Sequence, residues 1–187
     1  YVSRAIVCDN EGNVYGSHGE GRMFRFSPEN AELEILSCEF PIMTGTEYGL
    51  ISETAVESLV RAQDGTIYGG TCQDGYLYSF DPATESVKGL GKPVLQGRIR
   101  DLAFWNDSLF GIAGENLGKT HMFRYEPAGS GLRDMGVLQG GGRMGFAVNV
   151  CDALEAGPDS RLYIGQSERI SSLLSLNEIR YEPYQSP

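Results

Sequence analysis

Lysine, histidine, tryptophan and cysteine are all scarce in this 187-residue chain, and each shortage removes a class of function. Three lysines and twelve arginines face 25 acidic residues, for a net charge of −10 and a pI near 4.6. An acidic surface repels phosphate backbones, so a nucleic-acid partner is not expected. The four cysteines (Cys8, Cys38, Cys72 and Cys151) form no CxxC pair, which argues against a zinc site. They read as ordinary semi-buried thiols. There are two histidines and no HExxH, GxSxG or local Cys–His pairing. No cofactor or metal is expected. No apolar run approaches the ~18 residues of a membrane helix. No signal peptide is present, and Tyr1 is not a natural start. The chain is therefore expected to be a fragment or a processed product, with its compartment left open.

Glycine is abundant. The 25 glycines make up about 13 % of the chain, roughly twice the usual ~7 %. Since each would cost about 1 kcal/mol inside a helix, many turns joining short strands are the better expectation. A hydrophobic fraction of 41 % with 10 % aromatics is enough for a packed core.

The chain repeats itself. Asp9-Asn-Glu-Gly-Asn-Val-Tyr15-Gly16 matches Gln63-Asp-Gly-Thr-Ile-Tyr68-Gly69-Gly70, then Asn106-Asp-Ser-Leu-Phe110-Gly111, then Pro158-Asp-Ser-Arg-Leu-Tyr163-Ile-Gly165. A second signature follows each: Met23 to Pro28, Leu77 to Pro82, Met122 to Pro127 and the weaker Leu173 to Asn177. The aromatic anchors lie 53, 42 and 53 residues apart. Each copy reads as four strands. An apolar strand (Ala5 to Cys8; Ser58 to Arg61) ends in an Asx/Gly turn. The second strand carries the anchor, and the third alternates before an Asp-Pro or Glu-Pro-like turn. The fourth is expected at Leu33 to Ile35, Val87 to Leu90, Leu132 to Val137 and Ile179 to Tyr181. The units cover approximately residues 1–41, 55–95, 97–139 and 146–184, as one domain spanning 1–187. One four-stranded unit cannot bury both of its faces, but stacked units can. The expected fold is an all-β β-propeller of four-stranded antiparallel blades, four in this chain. The expected ring has six to eight blades, completed by missing sequence or by self-association.

The stretch Gly-Thr-Ile-Tyr68-Gly-Gly…Gly75-Tyr-Leu-Tyr-Ser-Phe-Asp81-Pro resembles the blade repeats of quinoprotein-like and NHL-like propellers. The resemblance covers nearly the whole chain and implies fold rather than activity. Asp81-Pro-Ala-Thr84-Glu85-Ser86 lacks the Gly and Trp of a pyrroloquinoline quinone turn, so that cofactor is not carried over.

Three local motifs imitate ligand loops. Ala113 to Thr120 fits a relaxed phosphate loop, but His121 to Pro127 behind it aligns with a third strand rather than a helix. Gly140 to Gly145 matches GxGxxG, yet Phe146 to Val150 reads as a strand, so an inter-blade loop is the better reading. Asp9 to Asn13 alternates oxygen donors, but with the wrong glycine position and no closing Glu it reads as a hairpin turn.

By fold analogy, a site belongs on the face shared by the strand two-to-three loops and the blade-to-blade loops. Pro41 to Thr54 contributes Glu47, Tyr48 and Glu53 there. Gln96 to Arg100 contributes Arg98 and Arg100, and Gln139 to Phe146 contributes Arg143. His18, Cys72 and Lys119 come from the other connection. Eleven residues before the anchor stand Arg4, Glu57 and Asp152, with Arg100 their equivalent in the shorter third unit. Such alternating charge has two readings: ion pairs between blades, or a cup for an anionic or polyhydroxylated ligand such as a uronic-acid glycan. Arg98, Arg100, Arg143, Glu47 and Glu57 are the candidate ligand-binding residues. A binding or scaffold propeller is the first functional expectation. The alternative is a polysaccharide-active enzyme, lyase- or hydrolase-like. By analogy with propeller lyases that use His and Tyr beside a positive site, His18 would be the base and Tyr48 the acid, with Arg100 and Arg143 as the positive groups. A sensor or partner-docking module is a third.

Overall fold

The computed structural model describes residues 5–18, 21–40, 56–72, 75–94, 97–114, 119–138, 150–166 and 172–176. Among the described residues, fifteen strands form four antiparallel sheets in chain order. Blade one is β1 (Ile6–Cys8), β2 (Val14–His18), β3 (Arg22–Ser27) and β4 (Glu32–Glu39). Blade two is β5 (Val56–Arg61), β6 (Ile67–Thr71), β7 (Leu77–Asp81) and β8 (Ser86–Gly91). Blade three is β9 (Ile99–Trp105), β10 (Ser108–Ala113), β11 (His121–Glu126) and β12 (Gly131–Val137). Blade four shows β13 (Cys151–Ala156), β14 (Leu162–Gln166) and β15 (Ser172–Leu176). The strand expected at 179–181 and the one expected at 146–150 fall in whole or in part outside the described residues. No helix among the described residues is long and apolar enough to cross a membrane.

Each sheet is a meander whose strands pair only with chain neighbours. The first strands β1, β5, β9 and β13 pack side by side and line the axis. This is an all-β β-propeller arrangement, with its blades stacked face to face.

Three apolar layers fill the blade junctions. Tyr15, Met23 and Leu36 of blade one pack with Ile67, Tyr78 and Phe80 of blade two. Tyr68 and Leu77 then pack with Leu102, Leu109 and Phe123. Phe110 and Met122 pack with Leu154, Leu162 and Ile164. Register explains the pattern. Tyr68 faces Ser79 and Gly69 faces Tyr78, so alternate residues serve the preceding and following blades.

In blades one to three the glycine after the anchor is a strand residue, not a turn. Gly16, Gly69 and Gly111 lie opposite Phe24, Tyr78 and Phe123. A Cβ on Gly69 would come within 2.1 Å of the Tyr78 hydroxyl, and one on Gly111 within 2.1 Å of the Phe123 ring. The missing side chain is the space in which the cross-strand ring sits. Elsewhere glycine does serve turns, as at Gly65 with φ +92. Asn106 and Asp107, both at positive φ, make the two-residue turn between β9 and β10.

Blade one keeps one face open. Ile6, Val14, Phe24, Phe26, Leu33 and Ile35 share that face by register. Their equivalents in blade two, Leu59, Ile67, Tyr78, Phe80 and Val87, are packed against blade one. Ile6 and Leu33 are 63 % and 64 % exposed. At the other end Leu173, the counterpart of Met23 and Leu77, is also exposed.

Candidate functional site

The inner strands of blades two, three and four, β5, β9 and β13, each carry one extra residue near the start. Pairing with the second strand slips between Val56 and Ser58, between Ile99 and Asp101, and between Cys151 and Ala153. The unpaired residues are Glu57, Arg100 and Asp152. A β-bulge re-aims a side chain that regular pleating would send elsewhere. In this chain it sets one charged residue in each of blades two, three and four at the equivalent place of the inner strand.

The charges meet across the blade junctions. Arg98 contacts Glu57 at 3.2 Å, and both side chains are largely buried. Arg100 pairs with Asp152 and donates through Nε to the Gly114 carbonyl at 3.1 Å. The Arg100 side chain is 6 % exposed, against 48 % for Asp152, so the guanidinium forms the floor and the carboxylate the rim. Three glycines permit the approach between blades two and three. A Cβ on Gly75 would collide with the Gly97 carbonyl at 1.7 Å, and one on Gly97 would meet Gly114 at 3.0 Å.

Asp101, beside Arg100, points between blades. Its carboxylate accepts the Leu154 amide at 2.7 Å and the Leu102 amide at 2.9 Å. Burial raises its pKa, and those two donors offset part of the shift.

The remaining candidates are dispersed. His18 is exposed at the end of β2. His121 sits two blades away at the start of β11, with Nδ1 3.1 Å from Asp134. The two histidines thus end second and begin third strands of different blades. Glu47, Tyr48, Glu53, Arg143 and Arg4 lie outside the described residues. Cys8 is exposed, Cys151 is buried, and none of the four cysteines is in a disulfide. Among the described residues no group of three or more His, Cys, Asp or Glu could hold a metal ion.

The opposite face, made by the hairpin turns, carries features that motif reading did not weigh. Between blades two and three lies a cleft of about 540 Å³, bordered by Tyr68, Phe104, Trp105 and Asp107. A groove of about 200 Å³ occupies the equivalent junction of blades one and two. The turns there are built on Asx side chains. Asp9 accepts the amides of Glu11 and Asn13, the Asn13 side chain and the Tyr15 hydroxyl. Burial works against its ionisation, but these donors hold the pKa below the usual value. The carboxylate is thus fully used in shaping the hairpin.

No family model matches the chain, and no curated protein matches it. Solved structures do. The extracellular domain of BT4673, a two-component system protein of B. thetaiotaomicron, superposes with a TM-score of 0.64 at 18 % identity. The alignment spans 88 % of this chain and 20 % of that one. Virginiamycin B lyase from Staphylococcus aureus gives 0.62 at 11 % identity, spanning 91 % and 54 %. A chain of the mitotic checkpoint complex gives 0.64 at 12 %, spanning 94 % and 49 %. All three are propeller folds. The likeness is one of fold, and this chain spans between a fifth and about half of each. Their printed roles differ: a lyase, a checkpoint complex and an extracellular domain.

Proposed function

We propose that this chain is a binding or scaffold segment of a propeller built from quinoprotein-like or NHL-like blades. Its axis mouth would take an anionic or polyhydroxylated ligand such as an acidic glycan. One observation carries the reading: the bulge repeated in β5, β9 and β13, which aims a charged side chain of each of those three blades at the mouth. Arg98 and Arg100 supply the positive groups, and a ligand carboxylate would compete with Glu57 and Asp152 for them. Sequence position assigns Glu47 and Arg143 to the same mouth.

Calorimetric titration with oligogalacturonate tests this. Saturable binding is expected, weakened about tenfold or more in Arg98→Ala, the loss of one charge-assisted bond. Failure of the wild-type chain to bind any acidic sugar sinks the proposal. The enzymatic alternative has one described candidate, His18, whose exposed position suits a proton-transferring group. Incubation with acidic polysaccharides would then produce the ultraviolet absorbance of unsaturated products, abolished in His18→Ala.

The open apolar face of blade one supports a ring of six to eight blades, completed by sequence beyond these residues or by a second copy. Light scattering tests it. A soluble monomer that binds no hydrophobic dye counts against ring completion.

A further inference from the structure

The aromatic anchors of the four blades look interchangeable in sequence, but their polar ends are treated differently. The Tyr15 hydroxyl donates to Asp9 at 3.1 Å, and that of Tyr163 to Asp159 at 2.7 Å. Phe110 has no hydroxyl. Tyr68 has one, and no hydrogen-bond partner for it occurs among the described residues. The two acids stand at different places in the repeat, six residues before the anchor for Asp9 and four before it for Asp159. The turn of blade one closes with the Asp9 amide donating to the Asn13 carbonyl, and that of blade two with the Ala62 amide donating to the Thr66 carbonyl. Ala62 thus occupies the place of Asp9, so the acid that holds the phenol in blade one is missing, while Asp64, at the place of Asp159, accepts the Thr66 amide at 2.9 Å.

The sealed side-chain atoms without a partner among the described residues are Arg22 Nε, Ser58 Oγ and the Tyr78 hydroxyl, so the Tyr68 hydroxyl is not sealed in and is open to water or a ligand. Tyr68 is 94 % buried, being 6 % exposed. Its ring is clamped by Phe104 at 5.5 Å and Tyr125 at 5.9 Å, so the hydroxyl cannot swing away to find another partner. It borders the 540 Å³ cleft, a volume within the usual range for small-ligand sites. The equivalent groove of about 200 Å³ contains the satisfied Tyr15. The larger cleft and the unpartnered phenol therefore coincide.

We propose that the cleft between blades two and three is a binding site for a neutral polyhydroxylated ligand the size of a mono- or disaccharide. The Tyr68 hydroxyl, on an otherwise buried ring, is its hydrogen-bonding group. The lining matches that chemistry. Asp107 offers acceptors for ligand hydroxyls, Asn106 offers both donor and acceptor, and Arg61 brings a guanidinium held by Asn10 of the neighbouring turn. Phe104 and the edge of Trp105 supply an apolar wall for the C–H face of a sugar ring. This site is on the face opposite Arg98 and Arg100, and its argument does not rest on the reading given for that mouth.

Trp105 is the chain's only tryptophan and borders the cleft, so its fluorescence reports on occupancy there. The probes are the methyl glycosides of glucose, galactose, mannose and xylose, with maltose and cellobiose. A saturable emission change with at least one of them is expected. Tyr68→Phe, which copies the anchor of blade three, should weaken that response about tenfold while leaving the fold intact. Ala62→Asp restores the acid of blade one and should weaken binding similarly by capturing the phenol, without loss of thermal stability. No saturable response to any probe overturns the proposal. So does a response that survives unchanged in both variants.

Discussion

The carboxylate of Asp101 in blade three accepts the backbone amide of Leu154 in blade four at 2.7 Å. Adjacent blades are otherwise joined mostly by apolar side chains, so this bond fixes where β13 sits against β9. Asp101→Ala leaves a part-buried amide unpaired and should cost about 1–3 kcal/mol in urea unfolding. Asp101→Asn keeps an acceptor oxygen and should lose less. Equal stability of all three proteins would show that the bond does not contribute.

Tyr78 and Gly69 give a prediction of opposite sign. The Tyr78 hydroxyl is buried without a hydrogen-bond partner among the described residues. Blades one and three place Phe24 and Phe123 at that position. Tyr78→Phe should therefore stabilise the chain by about 1 kcal/mol, measured as a higher urea midpoint at unchanged slope.

Filling the seats beneath those rings should do the reverse. Gly69→Ala and Gly111→Ala each force a Cβ into a neighbouring aromatic side chain, for an expected loss of about 1–3 kcal/mol. Each pairs with a rescue: Phe123→Leu should recover part of the loss in Gly111→Ala, a coupling that a double-mutant cycle measures.

Alkaline pH should unfold the protein through its tyrosines. Burial raises the Tyr15 pKa to about 12 from 10.0, helped by the Asp9 carboxylate and its hydrogen bond and opposed by Arg25. Burial pushes Tyr78 well above the usual value. A folded-state pKa above the unfolded one gives stability that is complete below pH 10 and lost as pH rises through the folded value. Stability should thus be flat on this account up to about pH 10 and decline toward pH 12. Asp9→Asn removes the carboxylate beside Tyr15 and should lower the phenol's titration midpoint, read by absorbance at alkaline pH.

The repeat was legible because it is local. The Asx/Gly turns, the anchors and the alternation of the third strands recur at fixed offsets, so strands such as Leu77–Asp81 and His121–Glu126 could be placed from residue types alone. Two features were not. The glycine after each anchor looks like any turn glycine, and its role as a seat appears only when β2, β6 and β10 are paired with the following strands. The fourth strand of blade one runs to Glu39, beyond the Leu33 to Ile35 core, because Leu36 and Cys38 are drawn into the packing against blade two. At the axis, counting back from the anchor found Glu57, Arg100 and Asp152 but not the bulge that makes them equivalent. It also did not reveal that Glu57 meets Arg98 while Arg100 meets Asp152. The cleft at Tyr68 depends on an absent partner, Ala62 in place of an acid, which no positive motif signals.

The bulge in β5, β9 and β13 acts like a frameshift in a two-letter code. Ahead of it, Val56, Ile99 and Cys151 are fully buried. Behind it, Leu59, Leu102 and Leu154 belong to the packed layers between blades. Both stretches keep their apolar phase because the extra residue absorbs the change of parity. That residue can therefore be exchanged without altering which neighbours pack. The chemistry displayed around the axis is free to diverge from one propeller to the next while the joints between blades stay the same.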